Sequence, residues 1–125
     1  MAGPKLDGVG TIKLVTLHDA QTKLQSLHGL VERMGGEVKG KKPIGPLAMQ
    51  LKRAVVPLQG LLKGQFSLIA DYATQILLVS GRGGPDTLKV KAYRECVAQM
   101  RTQIEIAITQ TKDKHLVRED EPMRT

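Results

Sequence analysis

The side chains able to do chemistry are few and widely spaced. Histidine occurs at 18, 28 and 115, and the only cysteine is Cys96. His28 and Glu32 are four apart, so on a helix they share a face in the manner of two metal ligands. Two ligands do not close a metal site, and no HExxH or CxxC spacing supplies more. The pair therefore reads as the solvated flank of an amphipathic helix, with no metal or cofactor expected. A phosphotransfer role for His28 is set aside because Leu30 and Val31 stand where a lysine or small residues would be wanted. The glycines of GRGGP, residues 81–85, have the density of an anion cradle. They lack the preceding strand and the lysine-serine/threonine end of a phosphate loop, so the segment reads as a turn whose glycines supply positive φ. Cys96 has no histidine near it in sequence to activate it and reads as a small, partly buried apolar residue. Glu95 and Glu105 each lie four residues from a base, Lys91 and Arg101, which suits exposed helical ion pairs rather than acid–base work. No catalytic residue emerges, and the expectation is a protein that is not an enzyme and takes no small-molecule substrate.

Charge offers a second kind of chemistry. The chain carries a formal net charge of +7, unevenly placed: residues 1–64 hold ten Lys/Arg against four Asp/Glu, residues 65–125 nine against eight. The excess centres on Lys39, Lys41, Lys42, Lys52 and Arg53, and REDEP near the C-terminus is acidic. Ammonium groups in a KGKKP loop beside a helix N-terminus suit phosphates or an acidic protein surface. Nucleic acid is a possible partner on this basis. The segment has no aromatic residue for stacking bases and no groove-reading motif, so such binding would be non-specific and salt-sensitive.

Amphipathic helices must position these groups. At 125 residues the chain has the length of a single domain. Aromatics are confined to Phe66, Tyr72 and Tyr93, so Leu, Ile, Val and Met must build the core, and helix formers outweigh strand formers. Leu17, Ala20, Leu24, Leu27, Val31 and Met34 alternate spacings of three and four, a coiled-coil-like seam that Leu14 and Leu30 widen. Gly35 and Gly36 are expected to stop that helix, and a long glycine- and lysine-rich loop to run to Pro43. Pro46 fits a first helical turn. From Leu51 through Val55, Leu58, Leu62, Phe66, Ile69, Ala73 and Ile76 to Ser80 the apolar phase holds across Pro57, Gly60 and Gly64, which predicts one helix over 46–80, kinked near Pro57. Asp86 or Thr87 can cap a last helix, with its seam at Val90, Tyr93, Val97, Met100, Ile104, Ala107 and Thr111, fading near Lys114.

These elements predict an all-α antiparallel bundle over residues 12–115, with a short first helix packed on a long helix 2/helix 3 hairpin. Residues 1–11 are expected to be a flexible N-terminus and 116–125 a disordered acidic tail. A first helix of about 20 residues reaches about 30 Å and leaves the far half of a roughly 50 Å hairpin bare. That half includes GQFSLIADYATQILLVSG, residues 64–81, whose single charged side chain is Asp71. A homodimer is the expected cover, through Phe66, Ile69, Ala70, Tyr72, Ala73, Ile76, Leu77, Val79, Val90 and Tyr93. The alternative is a monomeric up-down-up-down four-helix bundle turning at Gly64. Membrane insertion is not expected, since Gln65, Asp71, Thr74 and Gln75 interrupt the apolar run. The lone cysteine and an N-terminus without a signal-peptide core predict a cytoplasmic protein. The functional expectation is a self-associating scaffold or adaptor, with a nucleic-acid-associated or anion-binding module using the lysine-rich loop 37–42 as the alternative.

Overall fold

The computed structural model describes residues 5–6, 8–114 and 116–117. Four helices account for nearly all of them: α1 (Gly8–Lys39), α2 (Gly45–Lys63), α3 (Ser67–Gly81) and α4 (Asp86–Lys114). The chain is an all-α helical bundle in which α1 packs against α2 and α4, and α3 against α2 and α4. Each helix thus touches its neighbours in sequence and the ring closes through α1–α4, the up-down-up-down arrangement that short connections impose. A two-residue strand β1 (Lys5–Leu6) pairs antiparallel with β2 (Leu116–Val117), joining the chain segments that precede α1 and follow α4.

The seams legible in the sequence form the core. Leu17, Ala20, Leu24, Leu27, Val31 and Met34 of α1 are buried, as are Leu51, Val55, Leu58 and Leu62 of α2. Ile69, Ala73 and Ile76 of α3 meet them, with Val90, Tyr93, Val97, Met100 and Ile104 of α4. Thr111 ends that last seam and is buried too, and α4 ends at Lys114.

Three expectations about how these seams are connected are corrected. The helix over 46–80 is not continuous. Gln59 Nε2 donates to Thr74 Oγ1 at 2.7 Å, whereas fifteen helical residues would hold them about 22 Å apart. The chain reverses after Gly64, which is itself still right-handed helical (φ −75°, ψ −42°), as Phe66 leaves the helical region (φ −132°, ψ 57°). Phe66 N–H closes α2 onto the Leu62 carbonyl at 2.8 Å, and the Phe66 carbonyl opens α3 by accepting from Ile69 and Ala70. Apolar phase survives the reversal because the seams on either side must both face the same core, so phase alone does not distinguish a straight helix from two folded ones.

The second correction concerns Gly35 and Gly36, which do not stop α1. Gly35 is buried in the α1–α4 contact, where a Cβ would collide with the Arg94 guanidinium. Helix α1 therefore runs 32 residues, about 48 Å, and α4 29 residues, about 43 Å, beside about 28 Å for α2 and about 22 Å for α3. The long pair is α1–α4 and the short pair α2–α3, the reverse of the expected proportions. The α2–α3 turn comes to rest against Gln103, Ile106 and Ala107 of α4. Surface aliphatics occur at Val9, Ile12 and Val15 on the first turns of α1.

Third, the α1–α2 connection is short. It spans residues 40–44 and is tied down: Lys42 N–H bonds the Glu37 carbonyl at 2.8 Å and Lys41 N–H the Val38 carbonyl at 3.0 Å. Ile44, not singled out in the sequence, is buried and accepts from Ala48 N–H as α2 begins, with Pro46 in the first turn. At the α3–α4 turn Gly84 takes φ 118°, the positive value that GRGGP predicts. The cap of α4 is Pro85, whose carbonyl accepts from Lys89, and Asp86 already lies in the first helical turn. Helix α1 also begins at Gly8, inside the expected flexible N-terminus, and Leu116–Val117 of the expected tail pair with β1. The remainder of those two expectations, residues 1–4, 7, 115 and 118–125, lies outside the described residues.

Neighbouring glycines give a test of the α1–α4 contact. Gly36 is exposed with open space around it, so Gly36→Ala should stabilise by roughly 0.5–1 kcal/mol through helix propensity. Gly35→Ala should gain less or nothing in urea unfolding, because the added methyl displaces Arg94. Equal gains would show that Arg94 does not depend on Gly35.

Candidate functional site

Each predicted dimer-interface residue lies within the chain's own packing. Ile69, Ala70, Ala73, Ile76, Val90 and Tyr93 are buried in the bundle core, and Phe66, Tyr72, Leu77 and Val79 are half-buried against it. The physical reason is the reversal at Phe66. Once α3 folds back on α2, helices of the same chain cover the apolar seam of the charge-poor stretch while Leu68 and Leu78 stay exposed, and the coverage argument for a dimer at the seam residues loses its ground.

A groove of about 660 Å³ lies between α1 and α4. His18, Gln21, Gln25 and His28 line it from α1, Arg101 and Glu105 from α4. Toward the bundle end formed by the α1–α2 and α3–α4 connections, Arg94 Nε donates to Glu32 Oε2 at 3.0 Å. That bond gives the carboxylate of the His28/Glu32 pair to an arginine. His18 Nδ1 lies 3.2 Å from Gln21 Oε1. No group of three metal-ligating His, Cys, Asp or Glu side chains occurs among the described residues. Sequence reading missed Arg101 as a neighbour of His28. The available signal was its spacing of seven from Arg94, which repeats a helix position over two turns.

Cys96 and Tyr93 are the two described groups with displaced titration. Burial first and the Glu95 charge second push the Cys96 thiol above its usual value. Burial, followed by the charge of Asp86, does the same to the Tyr93 phenol. Both shifts favour the neutral acid, and a thiol so placed is a poor nucleophile.

The basic residues give a more organised picture. Up-down-up-down topology puts the α1–α2 and α3–α4 connections at one end of the bundle. Lys39, Lys41 and Lys42 are therefore joined there by Arg82, and all four are exposed. Nothing in the sequence relates Arg82, within the GRGGP turn, to the lysines around residue 41. Lys52 and Arg53 lie farther along, on the exposed side of α2. Between residues 38 and 85 seven bases (39, 41, 42, 52, 53, 63 and 82) face one acid, Asp71. The α1 and α4 residues outside that interval, 8–37 and 86–114, hold nine bases and seven acids. One layer of the bundle and its adjoining end are cationic, and the other layer is close to balanced.

Lys41 adds a conformational peculiarity. Its φ of 57° is the only positive value at a non-glycine residue among those described. The two bonds to Glu37 and Val38 make it the left-handed residue that ends α1, a place glycine ordinarily takes. A lysine there costs about 1 kcal/mol of backbone strain relative to glycine.

No protein-family model matches the chain, and neither a curated protein nor a solved structure matches it. Among the described residues no helix is long and apolar enough to cross a membrane.

The displaced groups have a measurable signature. At pH 8 Cys96 should react with iodoacetamide at least about threefold more slowly in the native protein than in urea, because its thiolate is disfavoured in the fold. Above about pH 10 stability should decline: the unfolded Tyr93 phenol ionises first, so its contribution, complete below that pH, is lost as pH rises through the folded pKa. Equal alkylation rates, or stability flat from pH 9 to 11, would contradict these assignments.

Proposed function

We propose that the protein is a non-enzymatic helical adaptor that engages an anionic partner through the cationic end of its bundle and the adjoining α2–α3 layer. The observation that carries this reading is the segregation of seven bases against one acid in residues 38–85, which the fold gathers onto one side. Such a field attracts an anionic surface and orients the protein on approach. Lys41 supports it: a strained residue retained where glycine would be easier points to a role for the side chain rather than the backbone. Self-association through the α2–α4 seam residues draws no support from the fold, because those side chains are already covered.

Retention on a sulfated polyanion resin provides the test. Replacing Lys39, Lys41, Lys42 and Arg82 with alanine should lower the eluting salt concentration clearly more than replacing Arg33, Lys91, Lys112 and Lys114, which removes the same formal charge elsewhere. Lys41→Gly alone should weaken retention while raising stability by about 1 kcal/mol. Equal shifts for the two fourfold variants would reduce the effect to net charge and defeat the reading.

A further inference from the structure

The cationic layer also exposes large aliphatic side chains. On α2, Met49 is 58% exposed and Val56 56%, seven residues apart and so on one stripe two turns long. Lys52 and Arg53 lie between them in sequence, both exposed. The Gln59–Thr74 hydrogen bond fixes the register of α3 against α2. One turn further along each helix, in opposite directions, brings Leu78 level with Val56, and Leu78 is 52% exposed. The α2–α3 layer thus leaves Met49, Val56 and Leu78 exposed together with Lys52, Arg53 and Lys63, with Asp71 as its one acid, and Leu68 is exposed nearer the α2–α3 turn.

From this juxtaposition we infer that the α2–α3 face is a docking groove for an acidic amphipathic helix of a partner protein, seated on Met49, Val56 and Leu78 with its carboxylates toward Lys52, Arg53 and Lys63. The inference rests on the adaptor reading and names the partner's chemistry. Charge complementarity selects the occupant: a helix with an apolar stripe flanked by glutamates matches both components, as in helix-in-groove recognition. Duplex nucleic acid would satisfy the bases and leave three aliphatic side chains against phosphate and water. An anionic bilayer would take the bases, but the face lacks the aromatic anchors that interfacial helices use. A second copy of this chain is disfavoured, since it would set the same cationic layer against itself.

Fluorescence anisotropy at 0.15 M salt tests the inference with a labelled 21-residue probe carrying leucines at a and d and glutamates at e and g. A scrambled probe of identical composition, vesicles containing phosphatidylserine, and a duplex DNA serve as comparisons. The stripe probe should bind at least about tenfold more tightly than its scramble, the difference expected from losing about 1.4 kcal/mol of apolar contact. Met49→Ser with Val56→Ser and Leu78→Ser should remove that advantage and leave retention on the sulfated resin unchanged. Lys52→Glu with Arg53→Glu should weaken the stripe probe and flatten its salt dependence. Because all five positions are exposed, thermal melts should show the variants folded, and Ile12→Ser on the first turns of α1 serves as a surface control without effect. Equal binding of stripe and scramble, or no binding of either, overturns the docking groove while retention on the resin leaves the adaptor reading standing. Tighter binding of vesicles or DNA than of the stripe probe overturns it in favour of those partners. Loss of resin discrimination would remove both.

Discussion

The arrangement of this protein depends on one backbone event, the departure of Phe66 from helical conformation. Its N–H still closes α2 and its carbonyl already opens α3, so the reversal is made with almost no intervening chain and with the Phe66 ring half-buried against the core. Without it, a 35-residue rod would expose Ile69, Ala73 and Ile76 and require another polypeptide to cover them. With it, the same side chains close a four-helix core within one chain, at roughly 1.5–3 kcal/mol of burial for each large aliphatic residue.

The same reversal determines where charge accumulates. Folding α3 back on α2 returns the chain toward the end from which α2 started, which brings Arg82 into the half of the bundle that carries the Lys39–Lys42 connection and makes α2 and α3 neighbours in one layer. Because residues 38–85 hold a single acid, that layer and that end become cationic together. The α1–α4 pair takes the opposite character. Its acids and bases are interspersed, Glu32 bonds to Arg94, and Asp19 pairs with Lys23 one helical turn away. Mixed charge keeps a surface soluble with little field, while a single-sign field attracts a partner. The two layers therefore differ in what they can do, although both are helix pairs of similar packing.

Two small departures from ideal helix design mark where packing and surface chemistry make separate demands. Gly35 sits inside α1 near its C-terminal end, where α4 lays the Arg94 guanidinium over the position a Cβ would take. At Lys41 the reverse holds, with a bulky side chain in a conformation that favours glycine. Packing against Arg94 accounts for the first. The second has no packing explanation, since Lys41 is exposed, and it finds one in the proposed contact with an anionic partner.

The amino-acid sequence by itself determined the helical class, most residues of the three apolar seams and the end of α4, because each follows from apolar spacing at a helical period. It also indicated the lysine cluster and the positive φ within GRGGP, which are local properties. What the tertiary structure decided was connectivity and sidedness. That Gly35 lies against a guanidinium 59 residues away cannot be read from local spacing, and whether residues 46–80 are one rod or two depends on a partner helix being present to bury them. A period of 3.6 residues looks the same on both sides of a tight reversal, so phase carries no information about direction. The neighbourhood of His28 with Arg101 likewise comes into being only when helices distant in sequence are brought side by side.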